Sequence, residues 1–393
     1  MPALIRDALL LDPETAAPAR GSLAVDGDRI LDLIPAGADL PVDFDPHPLS
    51  GRRIAPGLID LHHHGELVYA GAGHVDAALR RTSLELARSG VTAFLATTVA
   101  WGAERVKSVM TQIEKSMTHG AWPGAIVLGV HLEGPWISVR AAGAQPRSAI
   151  RPYGSAEDRQ LIEKYGEIIR MVTLAPECSG ADALLGDLTQ RGIVASLGHS
   201  RALGEQIDAA VARGLTHVTH LFNAMGPVHH RDPGVAVWVL GEERLTCDLI
   251  CDGVHVHPRI AAGAARLLGE RMLLITDRIA PPPAADASFG SGRVIDDGTA
   301  LRLEDGRLAG SSLSMDRAVR NARSVLGRSE IESIAAATLR PARLLGIESE
   351  RGTLRPGARA DLVALDEAGH IEETWVGGRR VFPEASESSG LAF

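Results

Sequence analysis

The sequence lacks several features that would place it in a particular class of protein. Its 393 residues include three cysteines, Cys178, Cys247 and Cys251, whose spacing fits neither a zinc ribbon nor a redox pair. Their odd number suits a reducing compartment. The sequence also lacks an apolar run long enough to span a membrane and a basic leader followed by an apolar core. We therefore expect a cytoplasmic protein without a membrane partner.

Clusters of lysine and arginine are missing as well. The formal net charge is -9 at pH 7, so no basic surface is available to follow a nucleic-acid backbone. A nucleic-acid partner is therefore not expected. An anionic small molecule stays possible, because one arginine is enough to bind it. With 393 residues, 45% of them hydrophobic, the chain can bury a large core.

Strand-like and helix-like segments alternate through the middle of the chain. We predict strands near residues 54–61, 92–96, 125–131, 169–174, 193–197, 216–220, 246–250 and 272–276. Apolar residues at helical spacing predict helices near residues 75–89, 103–118, 156–165, 181–191, 204–213 and 257–268. Two more helices, near 315–326 and 331–339, complete a domain that spans residues 54–349. Eight strands that alternate with helices are typical of an α/β protein with a (β/α)8 TIM-like barrel.

Both ends of the chain have the pattern of β structure instead. Residues 1–53 contain short apolar runs that are separated by the turn signal Asp26-Gly27-Asp28. Residues 350–393 have the same pattern of short apolar runs, for example at 361–365. Because the first segment is too short to fold alone, we predict that the two ends form one small β-sandwich beside the barrel.

Residues of the types that bind metal ions lie at or just past the carboxyl ends of five predicted strands. A single strand histidine is more often structural, but five such strand ends are hard to assign to coincidence. Because the active sites of these barrels lie at the carboxyl ends of the strands, we expect these side chains to meet in one pocket. The candidate ligands are His62, His64, Glu133, His199, His220 and Asp277.

Imidazole and carboxylate ligands suit a borderline divalent ion. Zn²⁺ is our first choice because it has no redox chemistry and accepts nitrogen and oxygen ligands, with iron and manganese as alternatives. Such an ion can polarise a carbonyl and lower the pKa of bound water, while Asp277 accepts the proton of the water and passes it to a leaving amine. The pattern therefore predicts hydrolysis of an amide without a nucleophilic side chain.

The motifs around these residues resemble the N-acetylglucosamine-6-phosphate deacetylase family of the amidohydrolase superfamily. The similar stretches cover nearly the whole chain. They include Pro56-Gly57-Leu58-Ile59-Asp60, His131-Leu132-Glu133-Gly134-Pro135-Trp136, Gly198-His199-Ser200, Thr219-His220-Leu221-Phe222-Asn223-Ala224-Met225, Asp252-Gly253-Val254-His255, Thr276-Asp277 and Leu308-Ala309-Gly310-Ser311-Ser312-Leu313.

The resemblance implies a role for each ligand-type residue. Glu133, His199 and His220 would bind one metal ion, and Asp277 would be the general acid and base. Family members whose first strand ends in His-x-His can bind a second ion, so His62 and His64 would allow a second ion here, with Glu133 as the bridging ligand. The family therefore implies one or two divalent ions.

The resemblance also implies a substrate and an assembly. The substrate phosphate would be met by Asn223 and Ala224 and by Arg231 of a neighbouring subunit, and His255 would lie in the sugar pocket. Guanidinium and backbone N–H groups are preferred phosphate partners, although Arg231 read alone could be a solvated surface charge. We thus expect a homodimer in amino sugar metabolism that acts on an N-acetylated amino sugar phosphate.

Three positions near the site differ from the family pattern. Gln145 stands where a histidine usually orients the acyl carbonyl, so we assign it to substrate binding as a hydrogen-bond donor. Arg278 follows the catalytic aspartate, and residues 65–70 replace a glycine-rich stretch and would refill part of the pocket. These differences leave two alternatives open. One is a hydrolase for a different N-acyl amine or a cyclic amide, with Arg278 selecting another anion, and the other is a catalytically silent binding relative.

Overall fold

The computed structural model describes residues 2–70, 73–282, 288–289 and 292–383, and a curled sheet of parallel strands forms its centre. In this sheet the strands lie side by side in chain order. The short strand Arg278–Ile279 follows the eighth strand and pairs with the first, so the ring closes. The eight barrel strands are Leu58–Gly65, Val91–Thr97, Ile126–Glu133, Ile169–Leu174, Val194–Leu197, Leu215–Val218, Thr246–Ile250 and Met272–Ile275.

Helices follow most of these strands and cover the outside of the sheet. Helix Ala103–Thr118 is typical, because it buries Val106, Val109, Met110 and Ile113, which recur every three or four residues along one face. The predicted (β/α)8 barrel is confirmed. The α-helices of the described ranges are Val75–Ala87, Ala103–Thr118, Ala156–Tyr165, Ala181–Gln190, Gly204–Ala212, Gly234–Gly241, Pro258–Leu268, Met315–Ser324, Glu330–Ala335 and Leu339–Leu344.

The strands from the two ends of the chain form a separate eight-stranded sheet. Strand Arg53–Pro56 joins the two ends, since it pairs in parallel with Ala3–Leu10 and antiparallel with Leu362–Leu365. The predicted sharing of one β unit by both ends is confirmed, although residues 384–393 lie outside the described residues. Its strands are Ala3–Leu10, Ala19–Asp26, Arg29–Pro35, Asp45–Pro46, Arg53–Pro56, Leu362–Leu365, Ile371–Val376 and Arg379–Phe382.

The predicted strand at 54–61 is in fact the junction of two strands. Residues up to Pro56 belong to the end sheet, whereas the barrel begins at Leu58. Gly57 lies between them and passes close to Thr92, whose Oγ1 would be 2.2 Å from a Cβ at residue 57. Glycine is therefore required here, and the chain changes sheets at this residue.

A small antiparallel sheet after the barrel was not predicted from the sequence. Its strands within the described ranges are Ser288–Phe289, Gly292–Asp296, Leu301–Leu303 and Leu308–Gly310. Ser311, just after its last strand, donates its backbone N–H to the carbonyl oxygen of Asp277. The sheet is thereby fixed at the mouth of the barrel, beside the end of the eighth strand.

No helix in the described ranges combines the length and the apolar character needed to cross a lipid bilayer.

Candidate active site and metal centre

The six candidate ligands lie together at the carboxyl ends of the barrel strands. They form two groups, and within each group the ligand atoms are within 4.8 Å of one another. The first group contains His62, His64 and Asp277, and the second contains Glu133, His199 and His220. Five of the six side chains are buried, and Asp277 is partly exposed. Side chains distant along the sequence thus surround one small volume.

In the first group, two histidines and one carboxylate face each other. The Nε2 atoms of His62 and His64 are 3.2 Å apart. Oδ1 of Asp277 lies 3.4 Å from Nε2 of His62 and 3.3 Å from Nε2 of His64. The alternation of residues along the strand puts both histidines on the same face, as the sequence predicted.

Glu133 lies between the two groups. Its Oε1 is 3.0 Å from Nε2 of His199 and 2.9 Å from Nε2 of His220. Its Oε2 is 3.3 Å from Nε2 of His64 in the first group. One carboxylate therefore faces ligand atoms of both groups.

The spacing of the imidazole nitrogens fits a divalent ion. Nε2 of His199 and Nε2 of His220 are 3.2 Å apart, the same separation as in the first group. Two protonated nitrogens cannot face each other at this distance without opposing their N–H dipoles. Two nitrogens bound to one tetrahedral ion at about 2.0–2.1 Å are separated by about 3.3 Å. The donor set and its spacing thus suit a metal centre.

The charges of the site lead to the same conclusion. Burial opposes ionisation of Glu133, but the charge of His62 and the hydrogen bonds of His199 and His220 hold its pKa well below the usual range. Burial also opposes ionisation of Asp277, yet its neighbours lower its pKa to about 2. Burial favours neutral His64, whereas hydrogen bonds to Asp277 and Glu133 raise its pKa to about 10. The centre therefore stabilises positive charge, which a divalent cation supplies.

Backbone carbonyls fix the orientation of two of the histidines. Nδ1 of His64 donates to the carbonyl oxygen of Thr97 at 3.1 Å, and Nδ1 of His199 donates to that of Ala141 at 2.9 Å. Each bond places a proton on Nδ1 and directs Nε2 at the centre, where its lone pair would bind an ion in place of a proton. Sequence reasoning did not identify these partners, because a backbone carbonyl has no residue type that could mark it.

Three of the site residues have a strained backbone. The φ angles of His199, His220 and Asp277 are 46°, 31° and 49°, in the left-handed region that non-glycine residues rarely adopt. Such a conformation costs on the order of 1–3 kcal/mol for each residue and concentrates at functional sites. The chain turns sharply where the fifth, sixth and eighth strands end, and this turn aims the three side chains into the barrel mouth.

Asp60 and Thr276 connect the first and eighth strands beneath the ligands. Oγ1 of Thr276 donates to Oδ2 of Asp60 at 2.6 Å, and Asp60 is fully buried. The backbone N–H of Asp277 also donates to the carbonyl oxygen of His62 at 2.9 Å. Asp60 is therefore a positioning residue that sequence reasoning quoted in a motif but gave no role. Its place two residues before His62 on an apolar strand was the available signal.

A cavity of about 250 Å³ opens next to the two groups. Of the residues predicted to bind substrate, Asn223, Ala224, His255 and Gln145 line it. Nδ1 of His255 lies 2.7 Å from Oδ2 of Asp252, which leaves the other ring nitrogen for a ligand. A larger cavity, of about 500 Å³, lies between two outer helices and holds none of the predicted site residues. The chemistry is thus concentrated in the smaller one.

Arg231 does not share this cavity within one chain. It is exposed, and its Nη1 contacts Nε2 of His230 at 2.7 Å. The single chain therefore brings five of the predicted metal ligands and four of the predicted substrate contacts to the cavity, whereas Arg231 stays outside it and His62 lies directly beneath.

Gln145 contacts the candidate ligand Glu133 as well as the cavity. Its Oε1 accepts the backbone N–H of Ala100 at 2.8 Å, so its Nε2 is the donor that faces Oε2 of Glu133 at 2.5 Å. The amide is therefore fixed in one orientation, and it helps to hold the Glu133 carboxylate.

The two other positions that differ from the family pattern point away from the cavity. Nη2 of Arg278 binds Oε1 of Glu85 at 2.6 Å, on the outer side of the first strand. In the segment 65–70, Leu67 and Val68 pack into the barrel core. None of the residues 65–70 nor Arg278 lines the cavity, so they neither fill it nor select its anion.

Comparisons with known proteins agree with this geometry. The model of the Amidohydrolase family matches residues 53–381. The chain is 36% identical over 356 residues to the N-acetylgalactosamine-6-phosphate deacetylase of Escherichia coli O157:H7, covering 89% of this chain and 93% of that protein. It is 37% identical over 366 residues to the N-acetylglucosamine-6-phosphate deacetylase of Vibrio furnissii, covering 92% and 88%.

Solved structures give the same result. The N-acetylglucosamine-6-phosphate deacetylase of Pasteurella multocida has a TM-score of 0.88 and 26% identity, covering 97% of this chain and 99% of that one. A mutant of the Mycobacterium smegmatis enzyme, in complex with N-acetyl-D-glucosamine-6-phosphate, has a TM-score of 0.85 and 30% identity, covering 97% and 99%. The likeness therefore includes both the barrel and the sheet formed by the chain ends.

Proposed function

The chain belongs to the amidohydrolase family and, within it, to the N-acetylglucosamine-6-phosphate deacetylases, and on this premise we propose that it releases acetate from N-acetylglucosamine 6-phosphate. The observation that carries the proposal is the meeting of six ligand-type side chains beside a cavity that Asn223, Ala224 and His255 also line. Such a site suits hydrolysis of a linear amide. The alternatives of a different N-acyl amine or a cyclic amide are not favoured, because the similar proteins are named as deacetylases of N-acetylated amino sugar phosphates. A silent relative is not favoured because both groups of ligand-type side chains are present.

The ion and the side chains of the site have different roles in the reaction. A divalent ion held at these groups, whether one ion or two are bound, would polarise the acetyl carbonyl and lower the pKa of water beside it. Asp277 accepts a proton from the attacking water and donates it to the leaving nitrogen as the C–N bond breaks. The products are acetate and the free amino sugar phosphate. His255, oriented by Asp252, holds the sugar in this arrangement.

We propose Zn²⁺ as the ion, with iron or manganese as alternatives, since the donors are imidazoles and carboxylates. The position of Glu133 between the groups supports two ions, one in each group. Purified protein is then expected to contain up to two equivalents of metal.

We further propose that two copies of the chain assemble, so that Arg231 reaches the phosphate bound by its neighbour. Arg231 precedes the wholly apolar helix Gly234–Gly241, in which Val237 and Trp238 remain 38% and 37% exposed. Nearby Leu203 is 66% exposed and Val228 is 57% exposed. An apolar surface of this kind marks an interaction site, and a self-complementary contact would cover it.

We also propose that the protein acts in the cytoplasm and consists of the predicted parts 1–53, 54–349 and 350–393, with the first boundary moved to Gly57, where the chain passes from the end sheet to the barrel. All three cysteines lie in the described part of the chain and are free thiols. Burial raises the pKa of Cys178 to about 11 and that of Cys251 to about 12, so these thiols stay protonated and unreactive.

The direct test of the activity is acetate release, measured together with metal content on the same sample. Purified protein is expected to release one acetate per N-acetylglucosamine 6-phosphate consumed and to lose this activity after chelation. Readdition of Zn²⁺, Fe²⁺ or Mn²⁺ to separate samples identifies the ion that restores turnover. N-acetylgalactosamine 6-phosphate is assayed in parallel, because one relative acts on that epimer by its name. Metal-loaded protein that is inactive on both sugars would refute the proposal.

Replacing Arg231 by alanine tests the contact across the subunit interface. The change is expected to raise KM for the phosphorylated sugar by about 10- to 100-fold, the worth of a hydrogen bond to a charged group, and to change kcat little. Arg244→Ala is the matched control, because Arg244 is exposed and its ion pair in the described part of the chain is with the nearby Glu242. KM and kcat are obtained from initial rates over a range of substrate concentrations. An unchanged KM would mean that the phosphate does not contact Arg231.

A further inference from the structure

Arg307 lines the cavity, and neither the sequence motifs nor the family resemblance assigns it a role. Among the described residues that line the cavity, it is the single lysine or arginine. The carboxylates of Glu133 and Asp277 line the same cavity, so the remaining positive charge comes from histidines and from whatever ion they hold. An anionic substrate group needs a cation away from the reacting amide, and Arg307 supplies one from the same chain.

The backbone around Arg307 is fixed to the catalytic strand end. Arg307 immediately precedes strand Leu308–Gly310, and Ser311 after this strand donates its N–H to the carbonyl oxygen of Asp277. Gly310 packs closely against the backbone of Asp277, since a Cβ at residue 310 would lie 3.1 Å from the backbone carbonyl oxygen of Asp277. The backbone of Arg307 therefore has a defined position relative to Asp277.

The guanidinium reaches the opposite segment of the cavity wall. Nη1 of Arg307 donates to the carbonyl oxygen of Gly143. Gly143 is wedged between His199 and Ala224, because a Cβ on it would lie 3.3 Å from Cε1 of His199 and 3.6 Å from Cβ of Ala224. The guanidinium is thus held beside the segment Asn223-Ala224, where the family resemblance puts the substrate phosphate.

The guanidinium remains partly accessible in this position. Arg307 also pairs with Asp305, at 2.7 Å between Nη2 and Oδ2, and it remains 40% exposed. Asp305 is itself on the surface turn, so this pair is solvent-screened and can exchange for a stronger one. A phosphate dianion offers the bidentate geometry that guanidinium prefers.

We propose that Arg307 binds the phosphate of the substrate from within the same subunit, beside Asn223 and Ala224. This inference rests on the proposed function and adds to it a specificity-determining residue. Arg307 and the neighbouring subunit's arginine would then hold the anion from two sides. A chain with this residue retains phosphate recognition when the partner's contribution is removed.

The test compares Arg307→Ala and Arg307→Lys with wild type on N-acetylglucosamine 6-phosphate and on N-acetylglucosamine. Arg307→Ala is expected to raise KM for the phosphorylated sugar by about 10- to 100-fold, to leave kcat within about threefold, and to leave kcat/KM for the unphosphorylated sugar unchanged. Arg307→Lys should have a smaller increase in KM, because lysine keeps the positive charge but lacks the two parallel N–H donors of the guanidinium. Arg293→Ala is the control, since Arg293 lies on the same small sheet but does not line the cavity.

Two results would overturn the inference. One is a KM for the phosphorylated sugar within twofold of wild type. The other is an equal fall in kcat for both sugars, which would mean that Arg307 only ties the sheet to the loop of Gly143. Protection against thermal unfolding by inorganic phosphate, measured on wild type and Arg307→Ala, separates this question from the activity. If wild type deacetylates neither sugar, the proposed function fails, and phosphate protection that persists in Arg307→Ala still refutes the role of Arg307.

Discussion

Asp277→Asn is expected to lower kcat by about 10²- to 10⁴-fold, the usual loss when a general acid or base is removed. The amide cannot accept the proton of the attacking water or return it to the leaving nitrogen. The change is nearly isosteric, and the backbone bonds of residue 277 to His62 and Ser311 do not involve the side chain. KM should therefore change much less than kcat.

Metal analysis of Asp277→Asn separates proton transfer from metal loss. Glu133, His199 and His220 form a complete ligand group without Asp277, so at least one ion should remain bound. Asp252→Asn is a useful comparison, since Asp252 contacts His255 and should affect sugar binding more than the chemical step. Turnover near that of wild type would remove Asp277 from its role, and loss of all metal would show that it acts as a ligand first.

The barrel could be predicted because each of its strands carries its own signal. The strand Val91–Thr97 is buried along its whole length, as expected for a parallel strand covered on both faces, and its sequence is apolar except for Thr92 and Thr97. Helix Ala103–Thr118 has the opposite signal, a single apolar stripe. Because the strands are parallel, their carboxyl ends meet, and knowledge of the strands was enough to bring distant histidines together.

Elements whose sequence has no periodicity were missed. Helix Gly234–Gly241 is apolar all round and therefore has no stripe that would distinguish it from a strand or a loop. The small sheet at residues 288–310 has strands of two to five residues, which are too short for an alternation to be seen. The role of Arg307 was hidden for this reason, since its position follows from the pairing of that sheet.

Features of the site that depend on backbone geometry were also beyond the sequence. Nothing in the residue types of His199, His220 or Asp277 indicates a positive φ, which arises because the strand end must turn toward the barrel axis. The direction of Arg278 was equally hidden. It follows Asp277 in the chain, yet the strand pairing with His63 sends its side chain outward to Glu85.

Glu133→Gln is expected to have the widest effect on metal content of any single change in the site. The neutral amide lacks the charge that faces His199 and His220 on one side and His64 on the other. Loss of even an outer hydrogen-bonding partner costs about 10- to 100-fold in metal affinity, so loss of a charged ligand should exceed this range. Both groups should therefore lose metal together, and kcat/KM should fall at least in proportion.

The control that makes this result specific is the double variant His62→Ala, His64→Ala. It removes two ligands from the first group but leaves Glu133, His199 and His220 in place. Elemental analysis should then find about one equivalent of metal in the double variant and much less in Glu133→Gln, although only one residue has changed there. The bridging role of Glu133 requires that Glu133→Gln bind less metal than the double variant. If Glu133→Gln keeps one full equivalent while the double variant keeps none, the ion resides in the first group and Glu133 does not connect two sites.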